Sequence, residues 1–150
     1  MSKILDWLYL GGSKEATDVN WLIDNKISHV LNVATGTQNL QYPGNIDVFR
    51  IPIRDNPNEE IRDYLEYGYI YLDVVRLLSG RVLVHCVAGI SRSATFVIYY
   101  LMKSRSMPLL KAFTIVKKKR DIIHPNPGFL RTLYQKEIDI ITSIGNINSL

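Results

Sequence analysis

Cysteine is nearly missing from this chain: Cys86 is the only one among 150 residues. A lone thiol excludes an internal disulfide and fits a reducing compartment, so a cytoplasmic or nuclear location is expected. No apolar run approaches the roughly 20 residues needed to cross a bilayer. The opening residues Met1-Ser2-Lys3-Ile4-Leu5-Asp6 lack the apolar core of a secretory leader, and Ser2 stands where myristoylation requires glycine. No membrane insertion is therefore expected. Histidine is scarce too, and His29, His85 and His124 are scattered with no second cysteine to join them, so no metal site is expected. Linkers rich in Pro, Gly or Ser, low-complexity tracts and internal repeats are absent, which makes residues 1–150 one expected domain.

What is present suits a globular protein. Hydrophobic residues make up 47% of the chain, enough to fill one sizeable core. The net charge of +4 is unevenly spread, for the stretch from Leu101 to Lys136 holds nine lysines and arginines against one acid, Asp121. Such a region could face phosphate-rich partners. The cluster Lys117, Lys118, Lys119 and Arg120 reads more simply as a solvated helix face, and nothing in it demands nucleic acid. Composition leaves the oligomeric state open.

The hydrophobic pattern alternates between strand and helix. Trp7–Leu10 is a short strand-like stretch turned by Gly11-Gly12, and residues Ser13 to Asn25 read as one helix with Ser13 as a plausible N-cap. His29-Val30-Leu31-Asn32-Val33 and Val48–Ile53 are further strand candidates, separated by a turn-rich loop over Gly36–Asn45. Over Glu59–Leu78, the residues Ile61, Leu65, Gly68, Leu72 and Val75 recur at helical steps and share one face. Arg81-Val82-Leu83-Val84 then forms a strand that runs into His85-Cys86. Helical patterns follow at about Ser91–Lys103, Pro108–Arg120 and Pro127–Ile144, both prolines suiting a first helical turn. This order predicts an α/β domain with a mainly parallel central sheet flanked by helices. The turn after the Val82–Val84 strand falls at the carboxyl end of that sheet, where ligands usually bind.

The chemistry is concentrated in His85-Cys86-Val87-Ala88-Gly89-Ile90-Ser91-Arg92-Ser93. A turn at a helix N-terminus offers backbone N–H groups without intrahelical partners, and the helix dipole adds partial positive charge. Gly89 permits torsions closed to other residues and close approach of a ligand. Val87, Ala88, Gly89, Ile90 and Ser91 would thus line an anion cradle, and Arg92 could present two parallel donors to a phosphate. A thiol in such a cradle finds every local dipole favouring its charged form, making Cys86 a credible nucleophile toward phosphorus. Ser93 could donate a hydrogen bond to the sulfur when it leaves. His85 is expected to order the loop rather than to transfer protons.

The run His85-Cys86-Val87-Ala88-Gly89-Ile90-Ser91-Arg92-Ser93-Ala94-Thr95 resembles the signature of the protein tyrosine phosphatase superfamily, and most closely its dual-specificity branch, in its small (atypical) form. Further matching segments are Leu8-Tyr9-Leu10-Gly11, His29-Val30-Leu31-Asn32-Val33, Tyr99-Tyr100-Leu101-Met102, and Pro125-Asn126 with Phe129. The resemblance implies a phosphatase-type α/β fold and a single catalytic domain. It also implies hydrolysis of phosphotyrosine, phosphoserine and phosphothreonine in proteins through a cysteinyl-phosphate, without metal or organic cofactor. It implies a general acid on a loop ahead of the signature. Asp55 fits, lying 31 residues before Cys86, although an aspartate within Asp55-Asn56-Pro57-Asn58 could instead only stabilise a turn. Asp63 and Asp73 fall inside a predicted helix and fit less well.

Asn126 matches an asparagine with which the family braces the signature loop, while Asn126-Pro127 is also an ordinary N-cap; one side chain is not expected to serve both. The chain has no room for the extra recognition loop of tyrosine-specific relatives, and a docking domain like that of MAP kinase phosphatases is not expected. Two alternatives stay open: a phosphoinositide or RNA 5′-phosphate phosphatase on the same scaffold, and a non-catalytic phospho-binding module. The neutral loop residues Val87, Ala88, Ile90 and Ser91 argue against a highly charged substrate. As the only thiol, Cys86 has no internal partner to resolve an oxidised state.

Overall fold

The computed structural model describes residues 2–148. Among them, five strands form one sheet: β1 (Ser2–Leu5), β2 (Leu8–Gly11), β3 (His29–Asn32), β4 (Asp47–Arg50) and β5 (Val82–His85). Their order is β1-β2-β5-β3-β4, with β1 antiparallel to β2 and the other three pairings parallel. The helices are α1 (Ser13–Ala16), α2 (Val19–Asp24), α3 (Arg62–Leu77), α4 (Arg92–Ser104), α5 (Leu109–Lys119) and α6 (Pro127–Asn148). The expected mainly parallel sheet is present, and the antiparallel pair stands at one edge. No helix among the described residues is long and apolar enough to cross a membrane.

β5 is central, and all of its residues are buried, as a strand covered on both faces requires. Alternation along the strands sends Leu31, Val82 and Val84 to the larger core with α3, α4, α5 and α6. It sends Val30 and Leu83 to the smaller core with Leu22 and Ile27. α4 is buried at every position from Ser93 to Met102, so it is a core helix contacted by α3, α5 and α6 rather than an amphipathic surface one. Each large apolar side chain buried this way stabilises the fold by about 1.5–3 kcal/mol. This burial immobilises the helix on whose first turn Arg92 and Ser93 stand.

Several elements depart from the sequence reading. β1 is an additional edge strand, held by pairing with β2 across the Asp6-Trp7 turn rather than by a pattern of its own. The single helix expected over Ser13–Asn25 is two, because Asp18 accepts from Trp21 N at 3.0 Å and starts a second helix. Ser13 is the first helical residue, and Gly12 occupies the N-cap. The strand expected over Val48–Ile53 ends at Arg50, one hydrogen bond (Ile51 N to Asn32 O, 2.9 Å) before Pro52. The long helix begins at Arg62 rather than Glu59. Pro108 is an extended N-cap, whereas Pro127 does occupy the first helical position.

α3, α4 and α6 meet at Glu66. Its carboxylate accepts from Tyr99 and Lys103 of α4 and from Lys136 of α6, the last at 2.8 Å with Lys136 only 6% exposed. Burial alone would raise the Glu66 carboxyl, but the hydrogen bonds from Lys103, Lys136 and Tyr99 outweigh it and hold it down from 4.5 to about 2. A depressed folded-state value stabilises above the unfolded value, and that stabilisation disappears as pH falls from 4.5 towards 2. Glu66→Gln should therefore be less stable than the parent near neutrality, with the gap narrowing across this acid window. Urea midpoints measured as a function of pH check this.

Candidate active site

The segment from Cys86 to Ser91 leaves the carboxyl end of β5 and delivers the chain into α4. A backbone loop can aim its N–H groups inward only if its carbonyls are turned outward and satisfied there. Here every carbonyl of the loop has such a donor. Cys86 O accepts from His85 Nδ1 at 2.9 Å and Ser13 Oγ at 3.2 Å, and Val87 O accepts from Ser13 N at 2.8 Å. Arg120 serves the next two, donating from a terminal nitrogen to Ala88 O at 3.3 Å and from Nε to Gly89 O at 2.8 Å. Ile90 O accepts from His124 N at 2.8 Å, and Ser91 O from Thr95 N at 3.0 Å. Gly89 has φ +69°, and a Cβ there would lie 2.6 Å from the Gly11 carbonyl. At Gly12 a Cβ would meet Val87 O at 2.5 Å. Only glycine lets the β2–α1 corner and the loop approach this closely.

Inside the loop lies the sulfur. Cys86 is 2% exposed, with Gly89 N 3.3 Å from Sγ and Ser93 Oγ 3.1 Å from it. Ser93 Oγ also lies 3.4 Å from Gly11 O. The hydroxyl has one proton for two acceptors. With Cys86 as a thiol, S–H can donate to Ser93, which donates onward to Gly11; with a thiolate, Ser93 donates to sulfur. Arg92 donates to Ile53 O at 2.9 Å, while its Nε is buried and makes no hydrogen bond to another described residue. That orphan donor is suited to an oxyanion in the cradle.

His85 is fully buried, and burial lowers its proton affinity. Its neutral ring donates from Nδ1 to Cys86 O and accepts at Nε2 from the Tyr42 hydroxyl at 2.7 Å. Tyr42 in turn accepts from Asn32 Nδ2 at 3.1 Å. Both ring nitrogens of His85 are thus engaged, one of them on a carbonyl of the loop.

Asp55 is oriented from outside its own turn. Its Oδ1 accepts from Ser91 Oγ at 2.8 Å and from Asn126 Nδ2 at 2.9 Å. The turn itself is closed by Asn56, whose Oδ1 accepts from Asn58 N at 2.8 Å, so the local role weighed for Asp55 belongs to its neighbour. Asn126 meets the signature loop through its backbone, while its side chain caps α6 and reaches Asp55. Its Oδ1 accepts from Phe129 N at 2.9 Å and caps α6, its Nδ2 holds Asp55, and its backbone N donates to Ser91 Oγ at 3.0 Å. The side-chain amide thus joins α6 to the Asp55 loop, and only the backbone N–H reaches the signature loop. Gly128 brings α6 against the Asp55 loop, for a Cβ there would sit 1.9 Å from Pro57 O.

The basic cluster is also corrected. Lys118 and Lys119 are exposed, as a solvated face requires, but Arg120 is 9% exposed and turned under the loop. A signal existed: Ala112, Val116 and Arg120 are spaced four apart, and the first two are buried. Tyr42, Asn32, Ser13 and the His124 backbone carry no comparable mark, because each reaches the site through long-range packing.

The dual specificity phosphatase catalytic domain model matches residues 8–139. This chain belongs to that family. It is 40% identical over 139 residues to a probable rhodanese domain-containing dual specificity protein phosphatase of Dictyostelium discoideum, covering 91% of this chain and 29% of that one. It is equally 40% identical over 139 residues to human dual specificity protein phosphatase 2, covering 93% of this chain and 44% of that one. The chain thus spans less than half the length of these curated relatives. Among solved structures, human DUSP28 superposes with a TM-score of 0.89 at 30% identity, covering 95% of this chain and 99% of that one. The human tyrosine phosphatase-like serine/threonine/tyrosine-interacting protein superposes with 0.88 at 33% identity, covering 94% and 97%.

The Asn126 geometry separates its two roles. Asn126→Ser keeps an oxygen to cap α6 but is too short to reach Asp55. Its melting temperature should stay close to the parent's, while kcat on phosphate esters with poor leaving groups falls about tenfold. Gly128→Ala should push the Asp55 loop away and lower kcat on the same esters; steady-state kinetics beside thermal denaturation test both variants.

Proposed function

We propose that the protein is a dual-specificity protein phosphatase acting through a cysteinyl-phosphate. The carrying observation is Cys86 Sγ at the floor of a loop whose carbonyls are all anchored outward, with Arg92 and Asp55 at its edge. In the first step the Cys86 thiolate attacks phosphorus in line with the departing oxygen. Inward N–H groups and the Arg92 guanidinium hold the three remaining phosphoryl oxygens. The S–P bond forms, the P–O bond breaks, and Asp55 passes its proton to the leaving oxygen. In the second step Asp55 takes a proton from water as that water attacks phosphorus. The S–P bond breaks, inorganic phosphate departs, and Ser93 donates to the released thiolate. No metal or organic cofactor takes part in this scheme.

Phosphorylated proteins fit as substrates better than polyanionic lipids or RNA 5′-phosphates. Val87 is 50% exposed and Ala88 is exposed beside it, so these loop side chains offer no cations to a polyanion. Their exposure also fits a shallow mouth open to phosphoserine and phosphothreonine as well as phosphotyrosine. Retention of Cys86, Arg92 and Asp55 together favours turnover. A cytoplasmic or nuclear site of action accords with the lone thiol.

Hydrolysis of para-nitrophenyl phosphate is the direct test. The parent should turn over, Cys86→Ser should be inactive while still binding oxyanions, and Asp55→Asn should lose roughly 10²–10⁴-fold in kcat on esters needing protonation. A malachite-green comparison of phosphopeptides, phosphoinositides and 5′-triphosphate RNA should favour peptides. Peptide turnover far below the others would reject the protein-phosphatase reading.

A further inference from the structure

Arg120 stands outside the catalytic signature, at the end of α5, yet it is among the few buried charged residues. Among the described residues it forms no ion pair; its partners are neutral oxygens, Gly89 O, Ala88 O and Ser2 Oγ. A buried cation without a carboxylate is costly unless dipoles or an anion compensate it. Here two carbonyl dipoles point at the guanidinium, and the opposite ends of those same peptide groups belong to the loop. The Ala88 carbonyl is joined through one peptide bond to the Gly89 N–H, which lies 3.3 Å from Cys86 Sγ. The Gly89 carbonyl is joined likewise to the Ile90 N–H.

We propose that Arg120 is a positioning residue for the phosphate loop, fixing and polarising the Ala88–Gly89 and Gly89–Ile90 peptide groups so that their N–H ends serve the sulfur and the bound oxyanion. A carbonyl that donates electron density to a cation leaves its own amide N–H a stronger donor, as in any hydrogen-bonded chain. The cation also blocks the competing orientation, because a flipped Ala88–Gly89 peptide would aim an N–H at the guanidinium and its carbonyl at Sγ. Arg suits the place better than Lys, since its fork meets two carbonyls at once, 2.8 Å and 3.3 Å away. α5 sets the geometry by burying Ala112 and Val116 on the same face.

This rests on the phosphatase reading, and its test reads anion binding apart from turnover. Tungstate affinity is measured by calorimetry for Cys86→Ser alone, with Arg120→Met and with Arg120→Lys, beside KM and kcat on para-nitrophenyl phosphate for each Arg120 variant with Cys86 intact. Arg120→Met should weaken tungstate binding at least tenfold and raise KM, while folded protein persists by thermal denaturation; Arg120→Lys should recover part of the loss. A merely structural residue would change the melting temperature without moving the affinity of the folded protein. Should Arg120→Met not fold, Arg120→Lys decides alone: a loss of several-fold in tungstate affinity supports the proposal. Unchanged affinity in whichever variant folds overturns it. Should the parent fail to turn over yet bind tungstate in an Arg120-dependent way, the phosphatase reading falls and the positioning role stands.

Discussion

The constraint on which the structure turns is the orientation of peptide groups. Six consecutive carbonyls, from Cys86 to Ser91, must face away from the cradle if the intervening N–H groups are to face into it. Peptide planarity makes each choice binary, so each carbonyl needs its own donor outside. Those donors come from His85, from the Ser13 corner, from Arg120 after α5, from the backbone of His124 and from Thr95 within α4. Elements far apart in the chain therefore converge on one short turn. The α/β layers serve chiefly to bring them there.

α4 gives that turn a fixed base. Its burial from Ser93 to Met102 means that it cannot shift without disturbing its contacts with α3, α5 and α6. Close packing transmits any such displacement directly. The same neighbours supply the outer parts of the site: α5 ends in Arg120, and α6 begins with Asn126 and Gly128. Stability and site geometry are thus carried by the same contacts, with Glu66 binding α3, α4 and α6 together some way along the helices.

Much of this was legible in the chain. Val82–Val84 is apolar and β-branched, Gly89 sits where a positive φ is required, and the spacing in α3 matches its buried residues Leu65, Gly68, Leu72 and Val75. These are local signals, and local physics answers to them. Features that escaped the reading are non-local. β1 exists because β2 offers it an edge. The break between α1 and α2 came from Asp18 outcompeting a continuous helix, and Tyr42 lies in a turn-rich loop with no periodicity to mark it. Arg120 was hidden by its neighbours: three lysines made it look like one more surface charge, although its step from Val116 put it on the buried face.

The hydrogen bonds around Asp55 have one more consequence. Ser91 and Asn126 both donate to the same oxygen, Oδ1, and occupy its two lone pairs. A carboxylic acid so held has nowhere to keep its hydrogen except the other oxygen, Oδ2. The group is thereby divided into an anchored half and a working half. In the proposed mechanism the acid would have a handedness: one edge is committed to the protein, and the proton would leave from the opposite edge.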